Sequence, residues 1–221
     1  GSEMCIRDRS QSLSNVIQEK TMPGDVVSIL CENSPFFIIS YFSILKSGCI
    51  AHIIPPAISD FNLKEQIKES NPQMILSNHS FEQKLKRTQL IEKAFFVESD
   101  SDVFKSNSDN HFEDRFYDVS SIIFTSGTTS KPKGVKLTHK NILTATSNIV
   151  KMIDIQTNDI EINSLSLSHS FGLGCLHAIF LQSATALIFK NTINLKEILK
   201  HGKQENATGF VGVPTTFYQI I

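Results

Sequence analysis

The chain has 221 residues, enough for one or two domains with a substantial buried core. Its 22 acidic and 21 basic residues leave a formal net charge of −1, so no global field points to nucleic acid or an anionic membrane surface. With 16 Phe, 3 Tyr and no Trp, the interior is built largely on phenylalanine, which needs no hydrogen-bond partner.

Gly1 to Arg9 reads G-S-E-M-C-I-R-D-R and fits no recognisable element. It is treated as a non-native scar and set aside from fold reasoning. Gly24-Asp25 precedes Val26 to Cys31, an almost wholly apolar strand of the kind buried on both faces. Glu32-Asn33-Ser34 supplies a turn and cap candidates, and Pro35 suits a first helical turn. The helix from Phe36 to Leu45 is apolar nearly all round and is expected to be buried. This strongest apolar run is broken by Ser40 and Ser43 and is too short, at about 1.5 Å per residue, for a hydrocarbon core of roughly 30 Å. No transmembrane segment is expected.

Ile50 to Ile54 resumes strand character before Pro55-Pro56 stops pairing. A short helix near Asp60 to Ser70 places Leu63 and Ile67 on one face, and Met74 to Leu76 and Ala94 to Val97 read as strands. Between Ser99 and Asp118 the chain turns polar and acidic; it lacks the calcium-loop pattern and reads as a solvated linker. Cys31, Cys49 and Cys175 sit in apolar contexts without C-x-x-C spacing. They read as small buried hydrophobes of a reducing cytoplasm.

Ser120 to Phe124 is a buried strand running into T-S-G-T-T-S-K-P-K-G, from Thr125 to Gly134. Such a loop suits a polyphosphate. Gly127 and Gly134 permit backbone conformations and close approach, and successive N–H groups can line an anion-binding concavity. Ser126, Thr128, Thr129 and Ser130 add hydroxyl donors, and Lys131 and Lys133 add charge. A Walker loop requires the lysine after the second glycine; here Lys133 precedes Gly134, so this is a different loop.

Beyond it, Val135 to Thr138 reads as a short strand, and Ile142, Ala145, Ile149 and Met152 fall on one helical face. Ile162 to Leu167 reads as strand, Gly172 to Gly174 as a turn, and a helix runs on toward Gln182. Thr185 to Phe189 reads as strand, Leu195 to Lys203 as helix, Thr208 to Val213 as strand, and Pro214 opens a last helix. This alternation predicts an α/β fold with a largely parallel sheet.

The run I-I-F-T-S-G-T-T-S-K-P-K-G, from Ile122 to Gly134, resembles the phosphate-loop signature of the adenylate-forming superfamily. That group holds acyl-CoA synthetases, adenylation domains of nonribosomal peptide synthetases and firefly luciferase. Ser130 stands where most members have glycine. L-S-L-S-H-S-F-G-L, Leu165 to Leu173, is similar to the family's second core motif, with Ser166 where proline is common. Gly24 to Pro35, Ile44 to Ala51 and Gly212 to Tyr218 are similar to further segments of its N-terminal part.

The resemblance implies that residues 10–221 form an incomplete N-terminal part of the adenylate-forming large domain. It implies ATP and Mg²⁺ as cofactors, a small-molecule carboxylate as substrate, and coenzyme A as the expected acyl acceptor, with a carrier protein as the alternative. Thr125, Ser126, Gly127, Thr128, Thr129, Ser130, Lys133 and Gly134 would hold the nucleotide. Lys133 and His169 would serve the chemistry, and His169, Phe171 and Gly172 would meet the substrate; no protein ligand for a metal is expected. A histidine beside Phe171 alone reads as structural; the companion loop reverses that. The downstream Tyr-Gly-x-Thr-Glu signature and catalytic lysine have no match in these residues, so the chain alone is expected to be inactive. A nucleotide-binding module without catalysis is the rival from another class. The carboxylate cannot be read from these residues, and abundant Phe is better explained by packing than by a fatty-acid tunnel.

Overall fold

The computed structural model describes residues 3–97, 116–125, 132–190 and 194–218. These fall into two compact units, residues 1–139 and 140–221.

The first unit opens with α1, Glu3–Gln18, which begins inside the stretch for which the sequence offered no element. Ser10, Leu13, Ser14 and Ile17 are its most deeply buried positions, at 1% exposure or less. Their spacing of three, four and seven residues is helical. Two of the four are serines, which hid the stripe from a reading based on apolar residues. The buried face packs on α2, Pro35–Lys46. Ser34 caps α2 by accepting from the Phe37 amide at 3.2 Å, and Pro35 takes the first position, where no N–H is needed.

Strand β1, Val26–Leu30, lies between β2, Ile50–Ile54, and β3, Met74–Ser77, both parallel to it. The sheet continues through β4, Ala94–Phe96, on one side. On the other side stand β5, Val119–Thr125, and β6, Lys133–Thr138, giving the order β4-β3-β1-β2-β5-β6. Val27, Ile29, Leu30, Ile53, Ile75 and Leu76 are fully buried. Each stabilises the sheet by about 1.5–3 kcal/mol relative to leaving it exposed. Helix α3, Asp60–Ser70, turns Leu63, Gln66 and Ile67 inward and ends at Asn71 in the left-handed region. A short α4, Glu82–Arg87, precedes β4. At Gly24 φ is +87°, and a Cβ there would stand 2.8 Å from the Tyr117 ring, so glycine is required on both counts.

All neighbours in this sheet are parallel except β5 and β6, which form an antiparallel edge hairpin. Lys133 and Gly134 belong to β6 itself, two residues earlier than the strand expected from Val135.

In the second unit β7, Ile160–Asn163, is the centre of a separate parallel sheet of order β8-β7-β9, with β8 at Thr185–Ile188 and β9 at Gly209–Val211. Helix α5, His139–Ile153, precedes β7; α6, Ser170–Leu181, lies between β7 and β8; α7, Leu195–Gln204, lies between β8 and β9; α8, Pro214–Tyr218, follows. A Cβ on Gly202 would meet Ile162 Cδ1 at 2.2 Å, so this glycine lets α7 lie close on β7. Three expectations are corrected here. The strand expected at Ile162 to Leu167 ends at Asn163, and the Gly172–Gly174 turn is part of α6. Helix α5 buries Thr146 and Val150, while Ala145 is exposed and Met152 is 81% exposed. Among the described residues no helix is long and apolar enough to cross a membrane.

Candidate functional site

The first group of chemistry-bearing residues stands at the mouth of the β5–β6 hairpin. Thr125, the last residue of β5, pairs with Lys133, the first of β6, and both side chains are exposed. Ser120 Oγ donates to the Leu137 carbonyl at 2.9 Å and ties the base of the hairpin. Among the described residues Lys133 makes no ion pair. A lysine paired across the ladder with a threonine, and in no ion pair among the described residues, is suited to an anionic group. Ser126, Gly127, Thr128, Thr129 and Ser130, with Lys131, lie outside the described residues.

Of the two reasons the sequence offered for Gly134, backbone freedom and close approach, the structure shows close approach. Gly134 lies opposite Phe124, and a Cβ would come within 3.1 Å of both Phe124 Cζ and Ile122 Cγ2. The residue makes room for the Phe124 ring. On another side that ring meets His52, with centroids 5.0 Å apart. His52 is fully buried in β2, its Nδ1 placed 2.9 Å from Ser28 Oγ and 3.0 Å from Ser70 Oγ. Burial lowers its pKa to about 4.

The second group lies where β7 passes into α6. His169 is the N-cap residue of α6, with extended backbone at φ −111° and ψ 147°, and its ring makes no capping hydrogen bond. The side chain is exposed, as is Phe171 at 51%. Gly172, expected to meet the substrate, is buried in the first turn of α6. A Cβ there would stand 2.4 Å from the Ser166 carbonyl oxygen. That same oxygen accepts from the His169 amide at 3.2 Å. The exposed imidazole can orient a carboxylate or exchange a proton with it.

Two polar residues of β7, one fully and one half-buried, were missed. Asn163, fully buried at the end of β7, donates from Nδ2 to the Gly172 carbonyl at 2.9 Å. Glu161, half-buried on β7, has its pKa raised to about 7 by burial and by the nearby Asp159. The signal for both was polar residues interrupting an apolar strand, I-E-I-N. Among the described residues no group of three or more His, Cys, Asp or Glu could hold a metal ion.

Residues 6–221 match the family described as AMP-binding enzyme. The chain belongs to the AMP-binding enzyme family. Relatives of this family include Gramicidin S synthase 2 of Brevibacillus brevis, 26% identical over 96% of this chain and 5% of that protein. Another is 4-coumarate–CoA ligase 3 of Arabidopsis thaliana, 26% identical over 80% of this chain and 34% of its own length. The fold is similar to that of O-succinylbenzoate coenzyme A synthetase of Bacillus subtilis in complex with AMP. There the TM-score is 0.85 at 21% identity, covering 97% of this chain and 56% of that one. The chain thus spans about a third or less of these two relatives. The family match begins at Ile6, within α1. The fold is of the α/β, mostly parallel-sheet type expected from the sequence.

Proposed function

We propose that the protein activates a carboxylic acid with ATP and passes the acyl group to a thiol. The observation that carries this reading is the β5–β6 hairpin, whose facing Thr125 and Lys133 bracket the hydroxyl-rich run Ser126 to Lys131. A carboxylate oxygen attacks the α-phosphorus; the bond from that phosphorus to the bridging oxygen breaks, and its electron pair leaves with pyrophosphate. The thiol sulfur then attacks the acyl carbon, and AMP departs.

Both reactants are anions, so alignment and charge neutralisation are the main demands. Thr125 to Ser130 bind the β- and γ-phosphates, and Lys133 compensates charge gathering on pyrophosphate. His169 orients the carboxylate, and Phe171 stands beside the substrate. Gly172 serves this face from beneath, through the Ser166 carbonyl. Gly134 keeps the hairpin closed under Phe124. Mg²⁺ arriving with the nucleotide would add charge neutralisation to that supplied by Lys133.

Coenzyme A is the proposed acceptor. A carrier protein is the second reading, favoured by the match to Gramicidin S synthase 2 over 96% of this chain. The three buried free thiols, Cys31, Cys49 and Cys175, fit a reducing cytoplasm. The test is carboxylate-dependent ATP–pyrophosphate exchange by the full-length protein. Lys133→Ala should slow exchange by about two orders of magnitude, roughly 3 kcal/mol of barrier. Unchanged exchange would remove Lys133 from the mechanism. ATP binding with no exchange for any acid would leave a nucleotide-binding module. The 221-residue chain alone should give no exchange.

A further inference from the structure

We infer that Asn163 is a positioning residue for His169, holding the turn that presents the imidazole against the first turn of α6. The inference rests on the proposed role of His169 at the carboxylate. Between the end of β7 at Asn163 and the start of α6 at Ser170 the chain must reverse, and His169 is the last residue of that turn. Among the described residues the His169 ring makes no cap bond that would fasten it. The fastening comes from behind.

Two contacts provide it. The Ser166 carbonyl accepts from the His169 amide at 3.2 Å and lies where a Gly172 Cβ would be, 2.4 Å away. On the strand side, Asn163 Nδ2 reaches across the turn to the Gly172 carbonyl at 2.9 Å. Gly172 is therefore gripped through its carbonyl by β7 and through its bare Cα by the turn. Within the turn, Ser166 Oγ sits 2.7 Å from Ser168 Oγ and accepts from the Ser168 amide at 3.3 Å. The His169 carbonyl accepts from Leu173 at 3.1 Å, which locks the backbone of His169 into α6.

The chemistry of Asn163 points the same way. It is fully buried, and its Oδ1 has no hydrogen-bond partner among the described residues. A buried amide with one arm unpaired is less favourable at a strand end than an apolar side chain of similar volume. Its retained arm does what no apolar residue can do: it fixes one carbonyl in direction as well as distance.

Asn163→Asp keeps the shape and, as a carboxylate, turns the donor into an acceptor facing the Gly172 carbonyl. Gly172→Ala attacks the same grip from the other side. In ¹H–¹³C spectra of the labelled 221-residue chain, both variants should shift the His169 imidazole resonances and leave those of His79 and His201 in place. His169 resonances unmoved in both variants would overturn the inference. If Asn163→Asp collapses all imidazole signals, Gly172→Ala decides alone.

In the full-length protein, exchange is followed with acetate, hexanoate, benzoate and phenylalanine as probe acids. With the best of these, either variant should raise the carboxylate KM about tenfold with the KM for ATP unchanged. A fall in kcat with both KM values unchanged would mark a structural role only and overturn it. If His169→Ala leaves the carboxylate KM unaltered, the reading of His169 fails. The spectra still judge what Asn163 positions.

Discussion

His52 is a titratable residue at the centre of a sheet, and its burial has a definite consequence for stability. The folded chain holds its pKa at about 4, against an ordinary value of 6.5. The unfolded chain therefore takes up the proton first as pH falls. Stability should be full above pH 6.5, decline as pH falls toward 4, and level off below. The loss amounts to about 3 kcal/mol at most. His177, in α6, is shifted in the same direction to about 4 by its burial, so it adds to the slope. Urea midpoints measured from pH 7 to 4 should therefore fall less steeply in His52→Val than in the parent chain. Identical slopes would mean that His52 is not buried neutral. Sequence offered no role for this residue; a histidine inside I-A-H-I-I becomes meaningful only when Ser28, Ser70 and Phe124 close around it.

Elements formed from strong local signals were legible to within a residue or two. Helix α2 has a serine cap, a proline at its first position and a nearly continuous apolar body, and it lies at Pro35–Lys46 as those signals predict. Ser34→Ala should lower stability by about 1 kcal/mol, seen as a lower thermal midpoint. The departures have physical causes. Apolar residues resume at Leu165 and Leu167, but one position out of phase with Ile160 and Ile162, and β7 stops at Asn163. That residue pairs with the last residues of both neighbours, Ile188 and Val211, and among the described residues no further partner strand extends it. Gly172 and Gly174 read as a turn because local glycine chemistry favours one. Packing overrides it, since only glycine admits the Ser166 carbonyl against α6. The residues proposed for the site, a lysine, hydroxyls and a histidine, are types that a sequence displays directly. The supports proposed for them, Asn163 and the Phe124–Gly134 contact, depend on contacts that no local pattern encodes.

At the scale of the whole chain, the α/β fold with largely parallel pairing expected from alternating elements is present, and among the described residues it is divided between a sheet of six strands and one of three. The two units also differ in surface. Leu143, Met152, Ile153, Phe171, Leu181, Phe217 and Tyr218 of the second unit are all more than 40% exposed. Apolar exposure on this scale favours self-association. Leu143→Lys with Met152→Lys should raise the concentration at which light scattering appears and leave the thermal midpoint within about 1 °C, as surface changes usually do. Unchanged scattering would shift attention to the other exposed residues.

The gap under Phe124 also indexes the hairpin. Side chains alternate across a strand, so a slip of one residue in β6 would turn Lys133 to the opposite face and bring Lys133 or Val135 beneath the aromatic ring. Neither fits in a space that a single methyl already crowds at 3.1 Å. One absent side chain thus works like a notch in a key, and the lysine one step away can face Thr125 in only one alignment.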